Sequence, residues 1–178
     1  MTYIALLRGI NIGGRHKMKM ADLRQFLTEN GFENVKTYIQ SGNVILDSSI
    51  NNSTEVAEKI HQIITDKYGF DIKVVVKSPE EIIKITNESP TEMIENIPHN
   101  RVFAMMLDTI PLEENVDIFL ERDFTPDLLS IENDVVYFAC LNGVSKSKLS
   151  NNLIEKKLKV NGTTRNYKTM VKLLSMVE

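Results

Sequence analysis

Three polar stretches carry residue types able to hold an anion. In Arg8-Gly9-Ile10-Asn11-Ile12-Gly13-Gly14-Arg15-His16-Lys17, three glycines release backbone amides from steric constraint while Arg8, Arg15 and Lys17 add positive charge. Backbone N–H groups in such loops form anion-binding concavities. From Gly9 the spacing resembles a phosphate-binding P-loop, but Arg15 and His16 stand where that motif needs Lys and a Ser or Thr hydroxyl for magnesium, which excludes a nucleotide triphosphatase. A turn with solvated basic side chains is the plain structural alternative.

The second stretch, Tyr38-Ile39-Gln40-Ser41-Gly42-Asn43, sets amide and hydroxyl side chains around a tight turn. Asn and Ser at turns commonly satisfy neighbouring backbone groups, so Gln40, Ser41 and Asn43 have a structural reading beside the ligand-binding one. The third, Thr163-Thr164-Arg165-Asn166-Tyr167, is predicted to open the last helix, with a capping Thr leaving other amides to an anion and Arg165 adding charge. The candidate ligand-binding residues are therefore Arg8, Gly9, Asn11, Gly13, Gly14, Arg15, Gln40, Ser41, Asn43, Arg165 and Asn166.

Other chemistries find no support. His16, His61 and His99 show no metal-ligand spacing with Cys140 or one another, and there is no Gly-x-Ser-x-Gly elbow, so neither a metal nor a cofactor is implied. Glu80, Glu81, Glu113 and Glu114 fall at helix starts, where the dipole favours them. Tyr137 and Phe138 are adjacent on a strand and point to opposite faces, which defeats a paired-aromatic RNA platform. Cys140 reads as a core thiol, in keeping with a reducing compartment.

The elements that would position these loops follow from periodicity. Tyr3–Leu7 and Val44–Leu46 are continuous apolar runs, expected of central strands, whereas Val35–Gln40 and Ile72–Lys77 alternate as edge strands do. Helices are predicted from about Lys19 to Asn30 and from Asn52 to Gly69, giving βαββαβ. Ser78-Pro79-Glu80-Glu81 starts a connecting helix. The second half repeats the programme with Val102–Leu107, Leu112–Leu120, Leu128–Ile131, Val135–Cys140 and a helix capped by Ser145, but only Lys159-Val160 remains for a fourth strand, which reads as missing or vestigial. Tyr167, Met170, Val171, Leu174 and Val177 mark a final helix. The predicted fold is α+β, two tandem ferredoxin-like (α-β plait) halves with antiparallel sheets, spanning 1–78 and 101–178 with a connecting helix and linker over 79–100.

Charge is uneven behind a net value of −3. Arg8–Lys19 holds four Lys or Arg and no acid, Lys146–Lys172 holds eight against Glu155 alone, and Glu80–Asp134 holds fourteen acids against three bases. Such bipolarity bears on partners and self-association. No apolar run approaches the roughly 20 residues of a membrane span, and Tyr3–Leu7, closed by Arg8, is shorter than a signal-peptide core, so a cytoplasmic location without membrane contact is expected.

Leu6–Gly14, Thr37–Val44 and Thr164–Thr169, together with Asn142–Leu149, resemble the bacterial domain-of-unknown-function family 1697 (DUF1697). The resemblance spans nearly the whole chain and implies two tandem α-β plaits, with no established activity, substrate or catalytic residue. Tyr167 stands where the family pattern has Trp, which alters a stacking surface without removing it. The leading expectation is a binding protein for a phosphate-bearing small molecule or nucleic acid. The alternatives are an enzyme on a small anionic substrate oriented by Asn11, Gln40, Ser41 and Asn43, and a non-catalytic module that forms homo-oligomers through the open fourth-strand side of its second sheet.

Overall fold

The structure is a computed structural model describing residues 1–177. The chain divides into two units, one of Met1–Ile83 joined by the last residues from Leu173, the other of Lys84–Lys172. The described residues hold eight strands in two four-stranded antiparallel sheets, and seven α-helices.

In the first unit the order is β1 (Thr2–Leu7), α1 (Met20–Glu29), β2 (Glu33–Tyr38), β3 (Asn43–Asp47), α2 (Ser53–Tyr68) and β4 (Val74–Lys77), with sheet order β2-β3-β1-β4. The continuous apolar runs are the two central strands and the alternating ones the edges. Tyr3, Ala5 and Leu7 pack with Val44 and Leu46 against Leu23 and Leu27 of α1 and Val56, Ile60 and Ile64 of α2. Pleating sends Ile4, Leu6 and Ile45 to the opposite face, where they too are buried. Asn52 caps α2 by accepting from the N–H groups of Thr54 and Glu55, and Gly69 ends it in the left-handed region at φ 68°.

The connecting helix α3 (Pro79–Asn87) opens on a reciprocal capping box. Ser78 N–H donates to Glu81 Oε2 at 2.7 Å, and Glu81 N–H to Ser78 Oγ at 3.2 Å. A short α4 (Thr91–Asn96) follows. The second unit continues with β5 (Val102–Leu107), α5 (Glu113–Leu120), β6 (Leu128–Glu132), β7 (Val135–Ala139), α6 (Asn151–Leu158) and β8 (Gly162–Asn166), in sheet order β6-β7-β5-β8. The last helix, α7, is Tyr167–Val177.

Three sequence expectations are corrected. The second sheet has its fourth strand: β8 pairs antiparallel with β5 from Phe103↔Asn166 to Leu107↔Gly162, so the place beside β5 that the sequence left open is taken. The strand lacks apolar residues, but its threonines are β-branched and suit a pleated edge. Gly162 is required there, because a Cβ would stand 2.8 Å from the Met106 carbonyl oxygen. Residues 163–166 consequently do not open a helix; α7 begins after them, and Asn166 Oδ1, not a Thr, accepts the Thr169 N–H at 2.8 Å. Finally, Ser145 lies in a 3₁₀ turn (Val144–Lys146), and Ser150 caps α6.

The halves share a backbone signature. Leu7 N–H donates to Gly42 O at 2.8 Å and Arg8 N–H to Lys73 O at 2.9 Å; in the second half Leu107 N–H donates to Asp134 O at 2.8 Å and Asp108 N–H to Asn161 O at 2.9 Å. At this matched position Asp108 grips its neighbour, its carboxylate accepting from Asn161 N–H at 2.9 Å and Asn161 Nδ2 at 2.7 Å.

Candidate functional site

In the first unit the loop leaving β1 and the turn joining β2 to β3 are held together by Asn11. This residue adopts φ 54°, a region Asn tolerates. Its Oδ1 accepts from Met18 N–H at 2.8 Å, and its Nδ2 donates to Met18 O and Gln40 O, both at 2.9 Å. The amide side chain thus closes the glycine-rich loop on itself and ties it to the hairpin.

Within the loop, Gly13 and Gly14 sit at φ 57° and 77°, as a type I′ turn requires, between Ile12 and Arg15, which form an isolated antiparallel bridge. Arg15 N–H is used by Ile12 O at 3.0 Å and Asn11 N–H by His16 O at 3.3 Å. The Gly13 and Gly14 amides have no protein acceptor among the described residues. Side chains at Arg15, Lys17 and Lys19 are exposed, and among the described residues none pairs with a carboxylate. Arg8 is half-buried at the loop's start, and the backbone at Gly9 is exposed. His16 Nδ1 donates to Gly9 O at 3.1 Å, since a carbonyl can only accept.

The hairpin is equally constrained. Asn43 is fully buried, and its Nδ2 donates to Tyr38 O at 3.1 Å and Ser41 Oγ at 2.9 Å. Gly42 is buried at φ 75°, and a Cβ there would fall 2.7 Å from Leu7 Cβ and 2.9 Å from Ile10 Cδ1. Ile39 is held at φ 50° with 52% of its surface exposed, an outlier for a β-branched residue. Gln40 keeps its side chain in solvent while its carbonyl serves Asn11.

Arg165 and Asn166 belong to β8 of the second unit. Arg165 is 9% exposed; its Nη1 donates to Thr163 Oγ1 at 3.0 Å and Thr164 O at 2.8 Å, and burial lowers its pKa to about 10. The guanidinium is therefore a buried group of the sheet. Cys140 is fully buried, and burial is the main cause of its raised thiol pKa, so it lacks the character of a nucleophile. Among the described residues no cluster of three His, Cys, Asp or Glu is placed to hold a metal ion. Among the described residues no helix is long and apolar enough to cross a membrane.

A family described as "Protein of unknown function (DUF1697)" matches residues 1–137. The chain belongs to the DUF1697 family. The match includes the glycine-rich loop and the Tyr38–Asn43 hairpin, and Arg165 lies outside it. The solved structure titled "conserved bacterial protein SP0830 from Streptococcus pneumoniae" is similar at a TM-score of 0.73 with 26% identity, covering 99% of this chain and 98% of that one. No curated protein matches.

Two site features escape sequence reading. The Asn11 clamp on Gln40 spans 29 positions, and its only local trace is an Asn set among glycines. The seating of His16 against Phe70, with ring centroids 5.0 Å apart, has no trace at all.

Proposed function

We propose that this member of the family binds a phosphate-bearing ligand on the Arg8–Lys19 loop of its first unit. The observation that carries the reading is the pairing of a braced loop with unneutralised charge. Asn11 fixes the backbone through three hydrogen bonds, while among the described residues Arg15, Lys17 and Lys19 have no carboxylate partner and the Gly13 and Gly14 amides no protein acceptor. A preformed loop loses little conformational freedom on binding. The ligand class includes nucleic acid as well as small phosphate esters. Each half is, in this reading, the ferredoxin-like plait the sequence predicts, a reading supported by the strand orders, and the protein works in the bacterial cytoplasm.

Titrating inorganic phosphate into ¹⁵N-labelled protein tests this. Shifts at Gly13, Gly14, Arg15 and Lys17 that weaken with added salt and vanish in an Arg15→Ala/Lys17→Ala double variant are expected. An unchanged spectrum at millimolar phosphate and low salt removes the proposal.

A further inference from the structure

Next to the cationic loop the first unit carries a series of rings that phosphate binding leaves unused. His16, Phe70, Tyr68 and Phe26 follow one another with centroids 5.0 Å apart and tilted by 53°, then 5.5 Å and nearly parallel at 18°, then 5.9 Å and edge-on at 71°. All four are half-buried. Tyr68 and Phe70 lean on the hydrophobic core, whereas His16 belongs to the loop, between Arg15 and Lys17, with its ring orientation fixed through Gly9 O.

The two ends of the series differ in electrostatics. Cations flank His16, while at the far end Phe26 shares a cleft of about 280 Å³ with Glu29, Asp66 and Lys67, whose ammonium lies 4.2 Å from the Phe26 centroid. Between them the Tyr68 hydroxyl is buried and has no hydrogen-bond partner among the described residues. Burial, and then the Asp22 carboxylate, raise its pKa, so it stays a neutral phenol. A ligand with an anionic end and a flat body would meet the cations beside His16 and the rings next to them in only one direction.

We propose that the ligand is a nucleotide, its phosphate on the Gly13–Lys17 turn and its base against the His16–Phe70 rings; this rests on the phosphate-binding reading above. Bases of any identity stack on aromatic side chains, and the acids beyond Tyr68 repel the phosphate and fix the orientation. A free nucleoside monophosphate and a phosphate within single-stranded nucleic acid share this chemistry.

The test is a set of titrations on the full chain, read by NMR shifts, with inorganic phosphate, ribose 5-phosphate, adenosine monophosphate, thymidine monophosphate and a short oligothymidylate. Adenosine monophosphate is expected to bind about tenfold more tightly than ribose 5-phosphate and to shift His16 and Phe70 in addition to the loop. Phe70→Leu should abolish that advantage while inorganic phosphate still shifts the loop; if the leucine variant does not fold, nuclear Overhauser contacts between the adenine protons and the Phe70 ring of the wild-type chain decide, and their absence at saturation overturns the inference. An oligothymidylate about tenfold tighter than the monophosphate assigns the source to a strand, and equal affinities assign it to a free nucleotide. Equal binding of adenosine monophosphate and ribose 5-phosphate, with phosphate still shifting the loop, overturns the nucleotide inference alone. Silence of the loop toward every probe overturns both readings.

Discussion

Asn11 and Met18 face each other as two strands would: the Asn11 side chain accepts from the Met18 N–H at 2.8 Å and donates to the Met18 carbonyl at 2.9 Å. One amide side chain thereby stands in for a peptide unit and closes a seven-residue excursion of the chain. Its remaining Nδ2 proton reaches Gln40 O at 2.9 Å. Asn11→Ala removes all three bonds at a half-buried site and leaves Ala at a positive φ. A loss of roughly 2–3 kcal/mol follows. Thermal unfolding should shift down by about 5–10 °C, and the Met18 amide should lose its protection from hydrogen exchange. Wild-type protection of Met18 in the variant would show that the clamp is dispensable.

Glycines of the two connected loops should respond differently to alanine. At Gly42 the new methyl carbon meets Leu7 and Ile10 closer than van der Waals contact allows, at φ 75°, and a cost of about 2–4 kcal/mol is expected. At Gly13 nothing lies within 4 Å, so only the strain of φ 57° applies, about 1 kcal/mol. Denaturant midpoints measure both; a Gly13 variant as damaged as the Gly42 variant contradicts the packing assignment.

Asp47 provides a pH signature at the start of the first sheet. Hydrogen bonds from Asn34 Nδ2 at 2.7 Å and Thr2 Oγ1 at 2.6 Å hold its pKa below the ordinary carboxylate value. A carboxyl whose folded pKa lies below its unfolded one stabilises the fold above the unfolded value, near pH 4, and loses that contribution as acidity increases further. At a half-exposed position solvent screening limits the contribution to roughly 1 kcal/mol. Asp47→Asn should therefore be less stable than wild type at pH 7, with the gap closing below about pH 3; a gap independent of pH argues against the carboxylate.

Tyr137 gives the alkaline counterpart in the second unit. Its hydroxyl donates to Ile85 O at 3.2 Å and is buried, and burial, followed by the nearby Glu88, Glu132 and Asp134, raises the phenol pKa. A phenol that ionises less readily when folded contributes fully below its unfolded pKa, near 10, and that contribution falls away as pH rises beyond it. Tyr137→Phe should cost about 1 kcal/mol at pH 7, because Ile85 O retains the Ser89 hydroxyl at 3.0 Å, and should flatten the alkaline limb of the stability profile. An alkaline limb identical to wild type would assign the loss to other groups.

The sequence made the interior strands legible because burial on both faces leaves a continuous apolar run, as in Tyr3–Leu7, Val44–Leu46 and Val102–Leu107. It also revealed helix starts whose caps are local, such as Ser78 with Glu81. It concealed β8, where Thr163 and Arg165 are buried without being apolar: Arg165 is satisfied by hydrogen bonds, and hydrophobic periodicity carries no record of those. Ser145 and Ser150 are equally good caps in isolation, and packing of Leu149 and Ile154 in the core selects the second. At the loop, charge and glycine content were readable, whereas the Asn11 clamp and the His16–Phe70 contact depend on segments brought together only by folding.

The matched hydrogen bonds at Arg8 and Asp108 mark the same place in two copies of one pattern, and there the copies have reversed sign. The first copy has Arg8 at this place, and the second has Asp108, whose carboxylate accepts from Asn161. If the first-unit loop takes an anion as proposed, the second unit sets a carboxylate at the matched position, and a titrated anion is expected to saturate at one equivalent per chain.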